Sequence, residues 1–392
     1  MQKNIVSTIK NFKQQFHYLS AFQFAHQPSI QFTHGHNKNT QQQNNVSQLQ
    51  TEQPKSNKLI KMTVRDAIRE AIAEEMEKDE NVFLMGEEVG KYDGAYKVSK
   101  SLLQRFGEKR VIDTPITEAG FTGLGVGASL GGLKPVIEFM TFNFAMQAID
   151  HIVNSAAKLR YMSGGDLASP IVFRGLNGAS AAVGAQHSQC YAAWYAHVPG
   201  LITLAPYDVE DAKGLFHSAI ACGETVVFLE NEVCYNYQFE ITEEVNSPDF
   251  KIPIGKAKIQ RPGEHVTVVA FARMVHVSLQ AAEILEKEGI SVEVINLRSI
   301  KPLDRDTIIQ SIKKTNRIVT VEEGWPQHGI GAEIAAMIME TSAFDYLDHP
   351  LERITGADIP MPYAFDLEDA SKPQVQNVVN AVKRTLIGKK HF

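Results

Sequence analysis

A chain of 392 residues with 44% hydrophobic content has room for two domains and a large buried core. Its net charge is −6, and acids mix with bases along the body, against a nucleic-acid surface with its clustered basic stripe. The three cysteines, Cys190, Cys222 and Cys234, have neither CxxC nor zinc spacing, and no apolar run approaches the roughly 20 residues that span a bilayer.

The first stretch differs in composition from the rest. From Met1 to Thr51 there is no Asp or Glu, while Lys3, Lys10, Lys13 and Lys38 are basic. Ile5 to Leu19 has the pattern of a basic amphipathic helix, and an Asn- and Gln-rich tract follows. This is the composition of a mitochondrial presequence, although arginine is missing. The plainer alternative is a disordered tail. On either reading residues 1–58 precede the folded body.

Folded sequence begins at Thr63-Val64-Arg65-Asp66, a variant of the capping box. Apolar residues at Val64, Ala67, Ile68, Ala71, Ile72 and Met76 then predict one face of a helix. A strand over Val82–Met85 ends at Gly86-Glu87-Glu88. Short apolar strands follow near Val111, Pro135–Phe139, Ile171–Phe173, Leu201–Leu204 and Val226–Leu229. Helical patterns lie between them, at Glu118–Gly132, Ala145–Tyr161 and Val209–Ala221. Apolar strands alternating with helices mean a parallel sheet covered on both faces.

Glu240 to Pro253 is acidic, carries two prolines and lacks periodicity, so it reads as a linker. Alternation restarts with strands at Val266–Phe271, Ser291–Leu297, Arg317–Val321 and Arg353–Thr355. Helices are predicted at Val275–Glu288, Asp304–Lys314, Ile330–Thr341 and Val375–Leu386. The expected organisation is two parallel-type α/β domains, 59–245 and 256–392, joined by 246–255.

The densest chemical signal is VIDTPITEAGFTGLGVGASLGG, residues 111–132. Glu118 stands past a strand end and opens a glycine-rich helix, where open α/β sheets place ligand chemistry. The plain alternative is a first-turn acid favoured by the helix dipole. Gly125-Val126-Gly127 is followed by Leu130 where a dinucleotide loop needs its third glycine, and no Walker A sequence occurs. The glycines therefore read as packing positions. Glu87 is a second strand-end acid, equally consistent with a loop carboxylate. His187 lies in a Gly/Ala-rich loop beyond a parallel strand, placed to shuttle a proton, or simply structural. Phe139 to Phe144 puts aromatics at a strand-to-helix junction, for core packing or for stacking on a flat ring.

Taken together, long stretches resemble the beta subunits of thiamine-diphosphate-dependent pyruvate dehydrogenases. They include VFLMGEEVGKYDGAYKVSKSL, MTFNFAMQAID, NGASAAVGAQHSQ, EEGWPQHGIGAEI and RITGADIPMPYA. The resemblance runs from Thr63 to the end and favours the pyruvate enzymes over the similar branched-chain 2-oxo acid enzymes. It implies a pyrimidine-binding transketolase-type domain followed by a transketolase C-terminal-type domain. It also implies that Glu118 hydrogen-bonds the aminopyrimidine ring nitrogen and favours the imino tautomer. Glu87 and His187 would handle protons or position the lipoyl group, and Phe144 and Gln147 would line the pyrimidine.

The GDG segment that holds magnesium and the diphosphate in thiamine enzymes is absent, so the resemblance assigns that half of the cofactor to an alpha subunit. Further expectations follow from it: two alpha and two beta chains, docking to a dihydrolipoyl acetyltransferase core, and residence in the mitochondrial matrix. No nucleic acid or membrane is expected as partner. A potassium site is implied at Ile171, Ala219, Ile220, Cys222 and Glu224, with Ala221–Glu224 departing from the usual pattern. The carboxylate of Phe392 is a candidate contact to the core.

Overall fold

The computed structural model describes residues 59–179 and 181–387. The segment expected to be a presequence and the Phe392 carboxylate lie outside the described residues. All described residues fall in one contact unit.

The chain enters on strand β1, Ile60–Thr63, and turns into helix Val64–Lys78. Thr63 caps that helix, its Oγ1 accepting from Asp66 N at 3.1 Å. The six apolar positions foreseen for its inner face are all buried. Strands β2 (Val82–Gly86), β3 (Val111–Asp113), β4 (Lys134–Glu138), β5 (Ile171–Leu176), β6 (Ile202–Leu204) and β7 (Thr225–Glu230) follow. Strand β8, Gln238–Ile241, pairs antiparallel with β1. The second half contributes β9 (Lys258–Arg261), β10 (Val266–Ala270), β11 (Val292–Asn296), β12 (Ser299–Lys301), β13 (Ile318–Val321) and β14 (Glu352–Ile354).

The larger sheet has the order β12-β6-β7-β5-β4-β2-β3, and the smaller β14-β13-β10-β11-β9. Both are parallel except for an antiparallel strand at one edge, β12 and β9 respectively. β12 belongs by sequence to the second half, yet it completes the sheet of the first. A single apolar layer joins the halves, running from Phe83, Phe139 and Phe173 to Val269, Ile295 and Ile312.

Several elements depart from expectation. Val209–Ala221 and Val375–Leu386 form helices over the expected residues. Ala145–Tyr161 does not form one continuous α-helix. Phe142–Ala148 is 3-10, His151–Ala156 is a π-turn, and only Ala157–Met162 is α-helical. Three carbonyls of this stretch accept from side chains: Val153 O from Lys158 Nζ, Ala156 O from Thr225 Oγ1 and Arg160 O from Ser163 Oγ, each at 3.2 Å. Such competition distorts a helical ladder. The stretch read as a linker contains the end of β8 and a short helix, Glu243–Asn246.

Helix Val209–Ala221 packs on helix Val64–Lys78 through a buried polar cluster. His217 lies between Glu75 Oε1 (Nδ1, 2.6 Å) and Glu74 Oε2 (Nε2, 2.9 Å), and Lys213 Nζ reaches Glu74 Oε1 at 2.8 Å. Burial pulls the imidazole down, but the hydrogen bonds to the two glutamates outweigh it and hold His217 above its ordinary range.

Candidate functional site

Strands β5, β4, β2 and β3 are neighbours in that order, and the segments leaving their carboxyl ends carry the candidate residues. Glu87 follows β2 directly. The turn after it is tied down from β3: Asp113 accepts from Gly90 N at 2.6 Å and from Lys91 N at 2.9 Å. Glu88 is left-handed at φ +57°, and its carbonyl accepts from Gly94 N at 2.8 Å. Glu118 opens helix Glu118–Leu130 beyond β3.

The two carboxyls are buried, Glu87 at 5% exposure and Glu118 at 4%. Burial is the main force raising Glu87, and the charge of Glu118 adds to it, so Glu87 titrates near about 7. Glu87 Oε1 is buried without a hydrogen-bond partner. A buried carboxyl with a free oxygen and a pKa near neutrality is equipped to hold or release a proton to a bound ligand.

The glycine-rich helix owes its position to Gly125, whose absent Cβ would lie 2.6 Å from Ile137 Cδ1 of β4. Gly127 faces open space, and Leu124 beside it is 69% exposed. No phosphate cradle is needed to explain either glycine.

Phe144 lies in the 3-10 segment after β4, and its ring meets the His187 imidazole edge-on at 5.1 Å between centroids. Gln147 is exposed on the same segment. Asn143, absent from the sequence-based candidates, joins the two segments: its Oδ1 accepts from Gln189 N at 3.0 Å. Asn177 holds the far side of the His187 loop, accepting from Tyr191 N at 2.7 Å. An asparagine between two phenylalanines was the available signal for Asn143; its partner, 46 residues on, was not visible. The structure thus joins Glu87 to Glu118, and Phe144 to His187.

The five residues of the expected ion site lie at the other end of the sheet. Ile171 begins β5, Glu224 precedes β7, and Ala219, Ile220 and Cys222 end helix Val209–Ala221. Cys222 Sγ donates to Ala219 O at 3.1 Å, and Glu224 pairs with Arg160 at 2.7 Å. Among the described residues, no group of three or more His, Cys, Asp or Glu is arranged to hold a metal, and no helix is long and apolar enough to cross a membrane.

Residues 60–236 match the pyrimidine binding domain of transketolase, and residues 255–378 match the transketolase C-terminal domain. A solved structure described as a split gene transketolase, an inactive beta4 tetramer, shares the fold. Its TM-score is 0.68 at 22% identity, covering 84% of this chain and 100% of that one. The class is therefore a transketolase-type protein with a cofactor-pyrimidine domain and a C-terminal domain.

Sequence relatives narrow the class. The mitochondrial pyruvate dehydrogenase E1 component subunit beta-1 of Oryza sativa subsp. japonica is 65% identical over 323 residues, 82% of this chain and 86% of that protein. The mitochondrial beta subunits of Dictyostelium discoideum (61%, covering 82% and 90%) and Homo sapiens (60%, covering 83% and 91%) are similar as well. The chain belongs to the family of mitochondrial pyruvate dehydrogenase E1 beta subunits.

Proposed function

We propose that this chain is the beta half of a pyruvate dehydrogenase of the mitochondrial matrix. With an alpha subunit it would decarboxylate pyruvate oxidatively and pass the acetyl group to lipoyl groups of a dihydrolipoyl acetyltransferase. The carrying observation is the buried Glu87–Glu118 pair at the ends of β2 and β3. Family membership favours pyruvate over branched-chain 2-oxo acids as substrate.

The residues fit the pyrimidine end of thiamine diphosphate. Glu87 Oε1 is a buried, unpartnered oxygen that an aminopyrimidine would satisfy, and an unmet buried polar atom is costly unless a ligand meets it. When bound, the cofactor supplies the nucleophilic carbon and electron sink that 2-oxo acid decarboxylation needs. Glu118 is proposed to share a proton with the pyrimidine nitrogen. The free Oε1 and raised pKa of Glu87 support it as a second carboxyl for the same proton. Phe144 is proposed to pack on the ring and Gln147 to line it. His187, exposed and edge-on to Phe144, is proposed to move a proton at a ring nitrogen during acyl transfer.

The diphosphate and its magnesium are proposed to sit mainly on the alpha subunit, in an assembly of two alpha and two beta chains. Docking to the acetyltransferase core is part of the same reading. A potassium ion is proposed at Ile171, Ala219, Ile220, Cys222 and Glu224. The carbonyls ending helix Val209–Ala221 support it, since the negative end of a helix dipole attracts cations.

Co-expression with a cognate alpha subunit and assay of thiamine-diphosphate-dependent pyruvate decarboxylation tests the function. Glu118→Gln and Glu87→Gln should each lower kcat about 10²- to 10⁴-fold with assembly intact. Wild-type turnover in both variants would remove the carboxyl pair from the mechanism.

A further inference from the structure

The segment from β5 to helix Ala192–His197 carries His187. Before reaching it, the chain takes left-handed conformations at Gly178 (φ +89°), Ala182 (φ +53°) and Gly184 (φ +76°). Each of the three meets a side chain of the second half. Glu323 Oε2 lies where a Gly178 Cβ would be and accepts from Ala179 N at 3.2 Å. Glu368 Oε2 accepts from Ala182 N at 2.6 Å. The Tyr363 ring occupies the place of a Gly184 Cβ.

Both acids are braced from behind. Arg273 lies 3.5 Å from Glu323 Oε1, and Lys372 Nζ donates to Glu368 Oε1 at 2.6 Å. Glu368 and Lys372 are 2% and 8% exposed. A left-handed alanine is unfavourable unless its surroundings hold it. A buried ion pair is expensive to build and contributes little net stability by itself. Here the pair fixes the backbone at the left-handed alanine, five residues before His187.

We propose that Glu323 and Glu368 are positioning residues for His187: from the second half of the chain they set the backbone path that presents the imidazole edge-on to Phe144. The proposal rests on the reading that His187 works in acyl transfer. The two halves of the chain would then build the acyl-transfer side of the site together, while the carboxyl pair comes from the first half alone.

The test uses the enzyme assembled with its alpha subunit. Glu368→Ala should lower kcat/KM for acetylation of a lipoyl domain about 10- to 100-fold, the scale of a misplaced catalytic group. Affinity for thiamine diphosphate should stay unchanged. Glu368→Gln keeps an oxygen for Ala182 N and should recover most of the loss. Tyr363→Leu alters an exposed ring, cannot empty the core, and should act in the same direction. Amide hydrogen exchange, read on the same assemblies, should quicken at Ala182 in Glu368→Ala and at Ala179 in Glu323→Ala. Unchanged exchange, or lipoyl acetylation at the wild-type rate in both Glu368→Ala and Tyr363→Leu, would overturn the proposal. Full activity of His187→Ala would overturn the underlying reading instead, and leave the exchange result to report on the loop alone.

Discussion

At the scale of the residue, the Glu87 carboxyl has an ordinary value of 4.5 and titrates near about 7 in the folded chain. A carboxyl with a raised folded pKa binds its proton more tightly folded than unfolded. Stability from that proton is present below about 4.5 and falls as pH rises towards about 7. Glu87→Gln removes this dependence. Its melting temperature relative to wild type should therefore rise between pH 5 and pH 8 in the cofactor-free assembly, as followed by scanning calorimetry. A constant difference would mean that Glu87 is ordinary in solution. Part of this chemistry was legible in the sequence. Glu118 stood out because a strand end and a glycine-rich helix flank it. The nearness of Glu87 was not legible, since it depends on β2 and β3 being neighbours, which periodicity cannot give. The braces on the His187 loop were further out of reach: Glu323 and Glu368 lie in another part of the chain and look like surface acids.

At the scale of the element, helix Glu118–Leu130 has few intrinsic reasons to form. Its glycines lower propensity, and tertiary contact has to hold it. Gly125 lets it sit close on Ile137. Gly125→Val should destabilise the chain by about 1–3 kcal/mol through overpacking, read as a lower urea midpoint, and a midpoint equal to wild type would show that the helix has room to move. Elements whose sequence periodicity agreed with their packing, such as Val209–Ala221, were legible to the residue. The stretch after Phe142 was not, because its helical bonds compete with Lys158 and with Thr225, a partner that only the folded sheet brings near. β9 and β12 were also missed, being short strands at sheet edges with no strong alternation of their own.

At the scale of the whole molecule, the two halves are bolted together by charge as well as by apolar packing. Arg298 Nε lies 2.5 Å from Asp211 Oδ1, Asn296 Nδ2 donates to Asp211 Oδ2 at 2.6 Å, and Lys258 Nζ reaches Glu210 at 2.8 Å. Asp211 is pushed up to about 7 by burial and by Asp208, with Arg298 pulling the other way. Arg298→Ala strands a buried carboxylate and should cost about 3–5 kcal/mol at pH 8. The loss should be smaller at pH 5, where Asp211 takes a proton, and equal losses in denaturant titrations at both pH values would refute this account of the junction. The strand swap at β12 has a consequence for the order in which the molecule can be made. A chain that emerges amino end first completes β6 long before Ser299–Lys301 follows to cover it. Until then β6 itself is the edge on that side, and bare edges recruit other strands. The outermost strand on that side of the first half's sheet is thus the last to be made, and it comes from the second half.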